Sequence, residues 1–233
     1  MKLDILAFAA HPDDVELAAS GTVIKHIQSG YQVGIVDLTR GELGSRGSAT
    51  IRDAEAAEAA KFMKLATRVN LALNDGFFEN NKDNQLAIIE QIRQFRPNIV
   101  LCNATSDRHP DHGKAGDLVS KACFLSGLVK IETDQPAWRP KAVYHYIQDR
   151  YLPPDFVVDI TDQMDQKLEA IQCFKSQFYN PYDDSPETPI SSLAFLEFIK
   201  ARAREMGRQA NFEFAEGFTV ERFIGVKDLF DLI

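Results

Sequence analysis

Two short segments of this chain carry side chains that could do chemistry together. They are Ala10-His11-Pro12-Asp13-Asp14 and, roughly a hundred residues later, His109-Pro110-Asp111-His112. Proline fixes φ and aspartate caps helices, so either cluster alone reads equally well as a turn. Capping needs no histidine, however, and two His-Pro-Asp clusters in one chain point beyond local geometry. Imidazole and carboxylate donors without thiolate suit zinc, and a catalytic zinc commonly takes three protein ligands and leaves a position for water. His11, Asp14 and His112 supply such a set, which leaves Asp13 and His109 free to move protons. Zinc brings the pKa of bound water to about 7, so a nearby carboxylate can draw off its proton at neutral pH. With no evident bridging carboxylate, one ion per chain is expected, and sites of this kind accept Fe(II) and Co(II) as well as Zn(II).

The clusters can meet only if the surrounding elements bring them together. Residues 3–10 are an apolar run of strand length, and residues 15–28 read as a helix stopped by Gly30. A second strand over 33–38 leads into a polar loop, 39–48, and an alanine-rich helix, 51–65. A strand over 69–73, a helix over 85–95 ended before Pro97, and a strand over 99–102 follow. Strands separated by helices imply right-handed crossovers and a parallel sheet. The expectation is a Rossmann-like α/β fold, a mostly parallel sheet flanked by helices, with both clusters at carboxyl ends of strands beside a topological switch point. Further along, 143–147 and 156–160 read as strands, 165–174 and 192–206 as helices, and 178–189 as a polar loop.

With 233 residues, 45% of them hydrophobic, the whole of 1–233 is expected to form one domain. A formal charge of −8 argues against nucleic acid or an anionic membrane as partner, since both attract basic surfaces. Met1-Lys2 runs directly into the first strand with no longer apolar segment and no small-residue cleavage site, so a cytoplasmic location is expected. Cys102, Cys123 and Cys173 are odd in number and widely spaced, which suits buried thiols rather than a disulfide framework.

The two motifs, with the stretch from Asp37 to Ser45, Arg52, Ser176-Gln177-Phe178 and Ala215-Glu216-Gly217-Phe218, resemble the LmbE-like (PIG-L) N-deacetylases. Within that family the pattern is most similar to the bacillithiol-biosynthesis branch, which acts on N-acetylglucosaminyl-malate. The resemblance implies zinc on His11, Asp14 and His112, Asp13 as general base, and His109 as electrophile or general acid. It implies that Asp111 orients His109, that Arg52 and Asp75 contact sugar hydroxyls, and that the protein is a homo-oligomer, often a hexamer. Where relatives place a tyrosine that helps the oxyanion, the register here puts Phe195, which cannot donate a hydrogen bond.

Other charged residues have two readings. Glu42 and Arg46, in the loop after the second strand, either meet substrate or are solvated. Arg108 is the natural partner for a substrate carboxylate, which a guanidinium binds bidentately. His145, between two tyrosines in a strand, either packs or lines the pocket, and His26 belongs on a helix surface. Three functional classes remain: a deacetylase of glucosaminyl-malate or of another N-acyl sugar such as a chitooligosaccharide fragment, a dinucleotide-binding module, and a metal-binding assembly protein. No GxGxxG follows the first strand, which weighs against the second.

Overall fold

The computed structural model describes residues 1–182 and 184–232. Its elements run β1 (Ile5–Ala9), α1 (Asp14–Gln28), β2 (Val33–Asp37), α2 (Ala49–Met63), β3 (Thr67–Asn70), α3 (Lys82–Phe95), β4 (Ile99–Asn103) and α4 (Pro110–Leu125). There follow β5 (Ala142–Tyr146), β6 (Phe156–Asp159), α5 (Met164–Gln172), α6 (Leu193–Arg208) and β7 (Ala215–Val220).

One seven-stranded sheet has the order β3-β2-β1-β4-β5-β7-β6. The five strands β3 to β5 pair in parallel, and β7 runs antiparallel to both β5 and β6. The chain builds outward from β1 to β3, then returns across the sheet to place β4 on the other side of β1. That reversal opens a crevice between the carboxyl ends of β1 and β4, where the two His-Pro-Asp motifs lie.

Strand β1 shows why its sequence reads as an unbroken apolar run. Ile5, Ala7 and Ala9 face the core under α1, α2, α5 and α6, whereas Leu6, Phe8 and Ala10 face the core under α3 and α4. Both faces are covered, so alternation disappears. Edge strand β3 has a half-exposed polar sequence, and it begins two residues before the run expected from residue 69. Strand β7 was not expected as a strand. Its Glu216 accepts the backbone N–H groups of Gly21 (2.9 Å) and Thr22 (2.7 Å) in α1 and pairs with buried Lys167 at 2.6 Å. This glutamate pins the antiparallel part of the sheet to the helix that carries Asp14.

The three cysteines are buried and free. Among the described residues no helix is long and apolar enough to cross a membrane.

Candidate metal centre and active site

The first motif leaves β1 and turns sharply. Asp13 adopts φ 116°, a left-handed conformation that a side chain disfavours, and α1 starts at the next residue. Such conformations cost of order 1–3 kcal/mol and persist where surrounding contacts enforce them. Here the turn sends two adjacent carboxylates in different directions. Asp13 meets the Arg52 Nη2 at 2.9 Å, and the same nitrogen donates to the Pro12 carbonyl. Asp14 faces the crevice, where its Oδ2 accepts from the His11 backbone N–H (3.0 Å) and Asn103 Nδ2 (2.9 Å), and its Oδ1 from Gln148 Nε2 (2.8 Å).

The second motif opens α4 with Pro110 at its first turn, and His109 is the cap, its Nδ1 accepting the Asp111 backbone N–H at 3.3 Å. The histidine does cap after all, but its ring also reaches the site. The nitrogens of His11, His109 and His112 lie within 4.8 Å of one another. Asp14 lies beside the two histidines assigned with it from sequence, 3.2 Å from His112 Nε2 and 3.7 Å from His11 Nδ1.

The outer nitrogens of those two rings have acidic partners. His11 Nε2 lies 2.9 Å from Asp75 and 3.5 Å from Asp111, and His112 Nδ1 lies 2.6 Å from Asp107. A carboxylate behind each imidazole fixes its tautomer and raises its basicity, an arrangement that accompanies metal-ligating histidines. His11 Nδ1 and His112 Nε2 are then the ring atoms beside Asp14, and His11 belongs both to a cluster with His109 and His112 and to one with Asp75 and Asp111, each of a chemistry that suits a divalent cation.

The electrostatics agree. Burial alone would lower the His11 pKa, but Asp111, Asp75 and Asp14 raise it to about 9. Burial is likewise outweighed at His112, where Asp14 and Asp107 raise the pKa to about 10. Asp13 is pushed up to about 7, chiefly by burial, with Arg52 opposing. His109 moves down, through burial and then repulsion from His11 and His112. A neutral His109 whose Nδ1 accepts a backbone N–H keeps its proton on Nε2, where it can donate to an oxyanion.

The cavity over these groups measures about 330 Å³ and is lined by His11, Asp13, Asp14, Arg52, Asp75, Arg108, His109 and His112, with Gln148 and Phe195 on its walls. A larger cleft of about 1050 Å³ lies between α4 and residues 221–225 but holds none of the motif residues.

Several expected roles change. The Asp111 carboxylate does not orient His109: it turns toward His11, the Gly76 backbone N–H (2.8 Å) and Lys114 (3.1 Å), and touches His109 only through its own backbone N–H. Asp75 uses both oxygens on protein, His11 on one side and the Leu43 N–H (2.9 Å) on the other, so it steadies an imidazole. Glu42 is exposed and absent from the cavity wall, and it accepts the Asp75 backbone N–H at 2.9 Å. Arg52 holds Asp13 through Nη2, and its buried Nε has no hydrogen-bond partner among the described residues. Gly41 permits this, because a Cβ there would lie 2.0 Å from Arg52 Nη1. Arg108 sits half exposed on the rim, paired with Asp149. Phe195 lines the wall where a tyrosine was expected and offers no donor.

Three residues were missed: Asp107, Asn103 and Gln148. Asn103 ends β4 and Gln148 follows β5 by two residues, and a polar side chain at the carboxyl end of a parallel strand beside the switch point is a signal the sequence carried. The Gln148 Oε1 is buried without a partner, so this residue offers an acceptor to whatever enters the cavity. Arg46, Ser176 and Gln177 join the loop 39–48 to the segment after α5: Arg46 Nε donates to the Ser176 carbonyl (2.8 Å) and Gln177 Nε2 to the Arg46 carbonyl (2.9 Å).

A doubly wound sheet with a histidine and carboxylate centre at its switch point is the architecture of an α/β enzyme with a candidate metal site. Residues 6–123 match the family model PIG-L: GlcNAc-PI de-N-acetylase, and the chain belongs to that family. The diacetylchitobiose deacetylase of Thermococcus kodakarensis is 29% identical over 75% of this chain and 70% of its own length. The probable N-acetyl-alpha-D-glucosaminyl L-malate deacetylase 2 of Bacillus anthracis is 27% identical over 75% of this chain and 81% of its own. The 4-oxalmesaconate hydratase of Pseudomonas putida is 25% identical over 74% of this chain and 73% of its own. Among solved structures, the conserved protein TT1542 from Thermus thermophilus superposes with TM-score 0.86 at 33% identity, covering 97% of this chain and 98% of that one.

Proposed function

We propose that this enzyme is a zinc-dependent N-deacetylase that removes the acetyl group from a glucosamine conjugate, with N-acetylglucosaminyl-malate as first candidate and a chitooligosaccharide fragment as second. The observation that carries the reading is the convergence of both motifs on one cavity, with carboxylates behind His11 and His112. His11, Asp14 and His112 would hold one zinc, or another divalent ion such as Fe(II). When bound, the ion supplies Lewis acidity and lowers the pKa of water.

The chain's own residues do the rest. Asp13, poised near neutrality and steadied by Arg52, takes the proton of the attacking water. The water oxygen bonds to the acetyl carbon, and the Nε2 proton of His109 meets the carbonyl oxygen as charge develops there. Asp13 then passes its proton to the amide nitrogen as the C–N bond breaks, giving acetate and a free amine. Arg108, which lines the rim, would take a conjugate carboxylate such as that of malate. We assign the protein to the cytoplasm as a homo-oligomer, with neither nucleic acid nor membrane as partner.

The test is acetate release from N-acetylglucosaminyl-malate, diacetylchitobiose and N-acetylglucosamine, using protein stripped of metal and then restored with one equivalent of Zn(II), Fe(II) or Co(II). Metal-dependent acetate release, highest with the malate conjugate, is the expected result. Hydration of an unsaturated dicarboxylate with no acetate from any amide would overturn the reading.

A further inference from the structure

Behind Asp14 runs a chain of polar contacts, buried as far as His145 and ending at exposed Glu221, that the reaction does not touch. Asn103 joins the carboxyl ends of β1 and β4 with one side chain: Nδ2 donates to Asp14 Oδ2 at 2.9 Å, and Oδ1 accepts the Ala10 N–H at 2.9 Å. The Asn103 carbonyl accepts from His145 Nδ1 at 2.8 Å, and His145 Nε2 lies 3.0 Å from Glu221, the residue just past β7. Both ring nitrogens thus face oxygen acceptors, so the imidazole carries both protons. Burial would lower the His145 pKa, but Cys102 at 3.3 Å, Glu221 and the Asn103 carbonyl raise it to about 11.

Helix α4 closes on the same carbonyl. A Cβ on Gly116 would stand 2.8 Å from the Asn103 oxygen and 3.4 Å from His145 Nδ1, so a side chain there would force the helix away. Asn103 and His145 are buried, and none of Asn103, His145 and Glu221 lines the cavity over the site. Substrate contact therefore does not account for them.

We propose that Asn103 is a positioning residue for Asp14, and that the Glu221–His145 pair holds Asn103 in place, so that a residue at the end of β7 tunes the cation affinity of a site built on β1 and β4. This rests on the reading of Asp14 as a metal ligand. An aspartate has few restraints on its own torsions. The Asn103 amide is one of three donors to that carboxylate, beside the His11 backbone N–H and Gln148 Nε2, and losing it leaves Oδ2 held by the His11 N–H alone, which loosens its aim at His11 and His112. Partners of this kind typically contribute about 10- to 100-fold in metal affinity. A residue acting through another contributes less, about 2- to 30-fold.

The experiment measures Zn(II) affinity by competition with a chromophoric chelator, on the full chain, with Tm recorded beside it. Asn103→Ala is expected to bind Zn(II) about 10- to 100-fold more weakly and to alter the visible spectrum of the Co(II)-loaded protein. Glu221→Ala should weaken binding about 2- to 30-fold. Glu221→Gln, which still accepts from His145, should stay within about twofold of the parent protein. The Asn103→Ala/Glu221→Ala double variant should be no weaker than Asn103→Ala, because both act along one path.

Zinc affinity near the parent value in Asn103→Ala, with Asp14→Ala depleted of metal, would overturn the relay while sparing the ligand assignment. Strict additivity in the double variant would overturn it too. If Asp14→Ala binds like the parent protein, the ligand assignment falls and the relay with it. Should Asn103→Ala fail to fold, the exposed Glu221 allows its Ala and Gln variants to decide the question.

Discussion

Asp14 and Glu16 lie two residues apart on α1 and belong to different ionic clusters. Glu16 meets Arg68 at 2.6 Å, and Asp37 meets the same guanidinium through Nε at 2.7 Å and Nη2 at 2.9 Å. This cluster contains its own permanent cation. Burial opposes the charge on Arg68, but Asp37 and Glu16 more than compensate, and its pKa is raised. Around Asp14 the composition is reversed. Asp13, Asp14, Asp75, Asp107 and Asp111 converge, and among the described residues the permanent cations paired with them are Arg52 on Asp13 and the half-exposed Lys114 on Asp111. Charge balance there depends on protonated histidines or on a cation from outside. A buried carboxylate cluster that includes its arginine is architecture, and one that falls short of cations is a binding site.

The largest expected effect tests the architectural side. Arg68→Ala leaves two buried carboxylates unpaired, and breaking a buried pair in this way costs about 3–5 kcal/mol. Denaturant unfolding should show that loss while Zn(II) affinity of the folded protein stays within about twofold. A mild effect on stability, or a large one on metal, would mean that the clusters are not separate.

On the other side, Asp13→Asn keeps shape but removes the proton acceptor. Single-turnover kcat should fall about 100-fold or more with metal content unchanged. Metal loss in this variant, with retention in Asp14→Ala, would exchange the two aspartates' roles.

Asp107→Asn probes the carboxylate behind His112 and should weaken Zn(II) binding about 10- to 100-fold. No change would show that His112 needs no such support and would blur the distinction between the clusters. The smallest effect is at the rim. Arg108→Ala should raise KM for N-acetylglucosaminyl-malate by up to about 10-fold, leaving kcat and the KM for diacetylchitobiose near their parent values, since an exposed guanidinium has only a modest interaction energy. Equal increases in KM for both substrates would remove the case for a carboxylate contact.

The parallel half of the sheet was legible because its central strands are buried on both faces, and the two motifs stood out because histidine recurs beside Pro-Asp, although His109 also caps α4. Edge strand β3 was placed two residues late because Val69, Leu71 and Leu73 look more strand-like than the Thr67-Arg68 pair that actually registers against β2. Strand β7 was read only as part of a motif. Its Glu216 is unremarkable in sequence, and its contacts are with residues nearly two hundred positions away in α1. The site followed the same division. Motif spacing grouped His11, Asp14 and His112, which the fold brings together, whereas the contacts of Asp75 and Asp111 with His11 were not foreseen, because which carboxylate stands behind which imidazole depends on how β1, the 74–76 turn and α4 pack. No local pattern encodes that.

The left-handed turn at Asp13 also bears on how this sequence would drift if only stability were selected. Glycine and asparagine both tolerate a positive φ better than aspartate does. Asp13 carries a second liability, since its pKa in the folded protein is raised to about 7 from an ordinary 3.8. A folded-state value above the unfolded one makes the ionised group unfavourable, so the penalty grows as pH rises from about 4 and is complete above about 7. Asp13→Asn removes this pH-dependent penalty while leaving Arg52 without its carboxylate, so the stability of the variant relative to the parent, metal-free, should be greater at pH 8 than at pH 4. Its presence would reflect selection on turnover, and a library screened for heat resistance alone should discard it early.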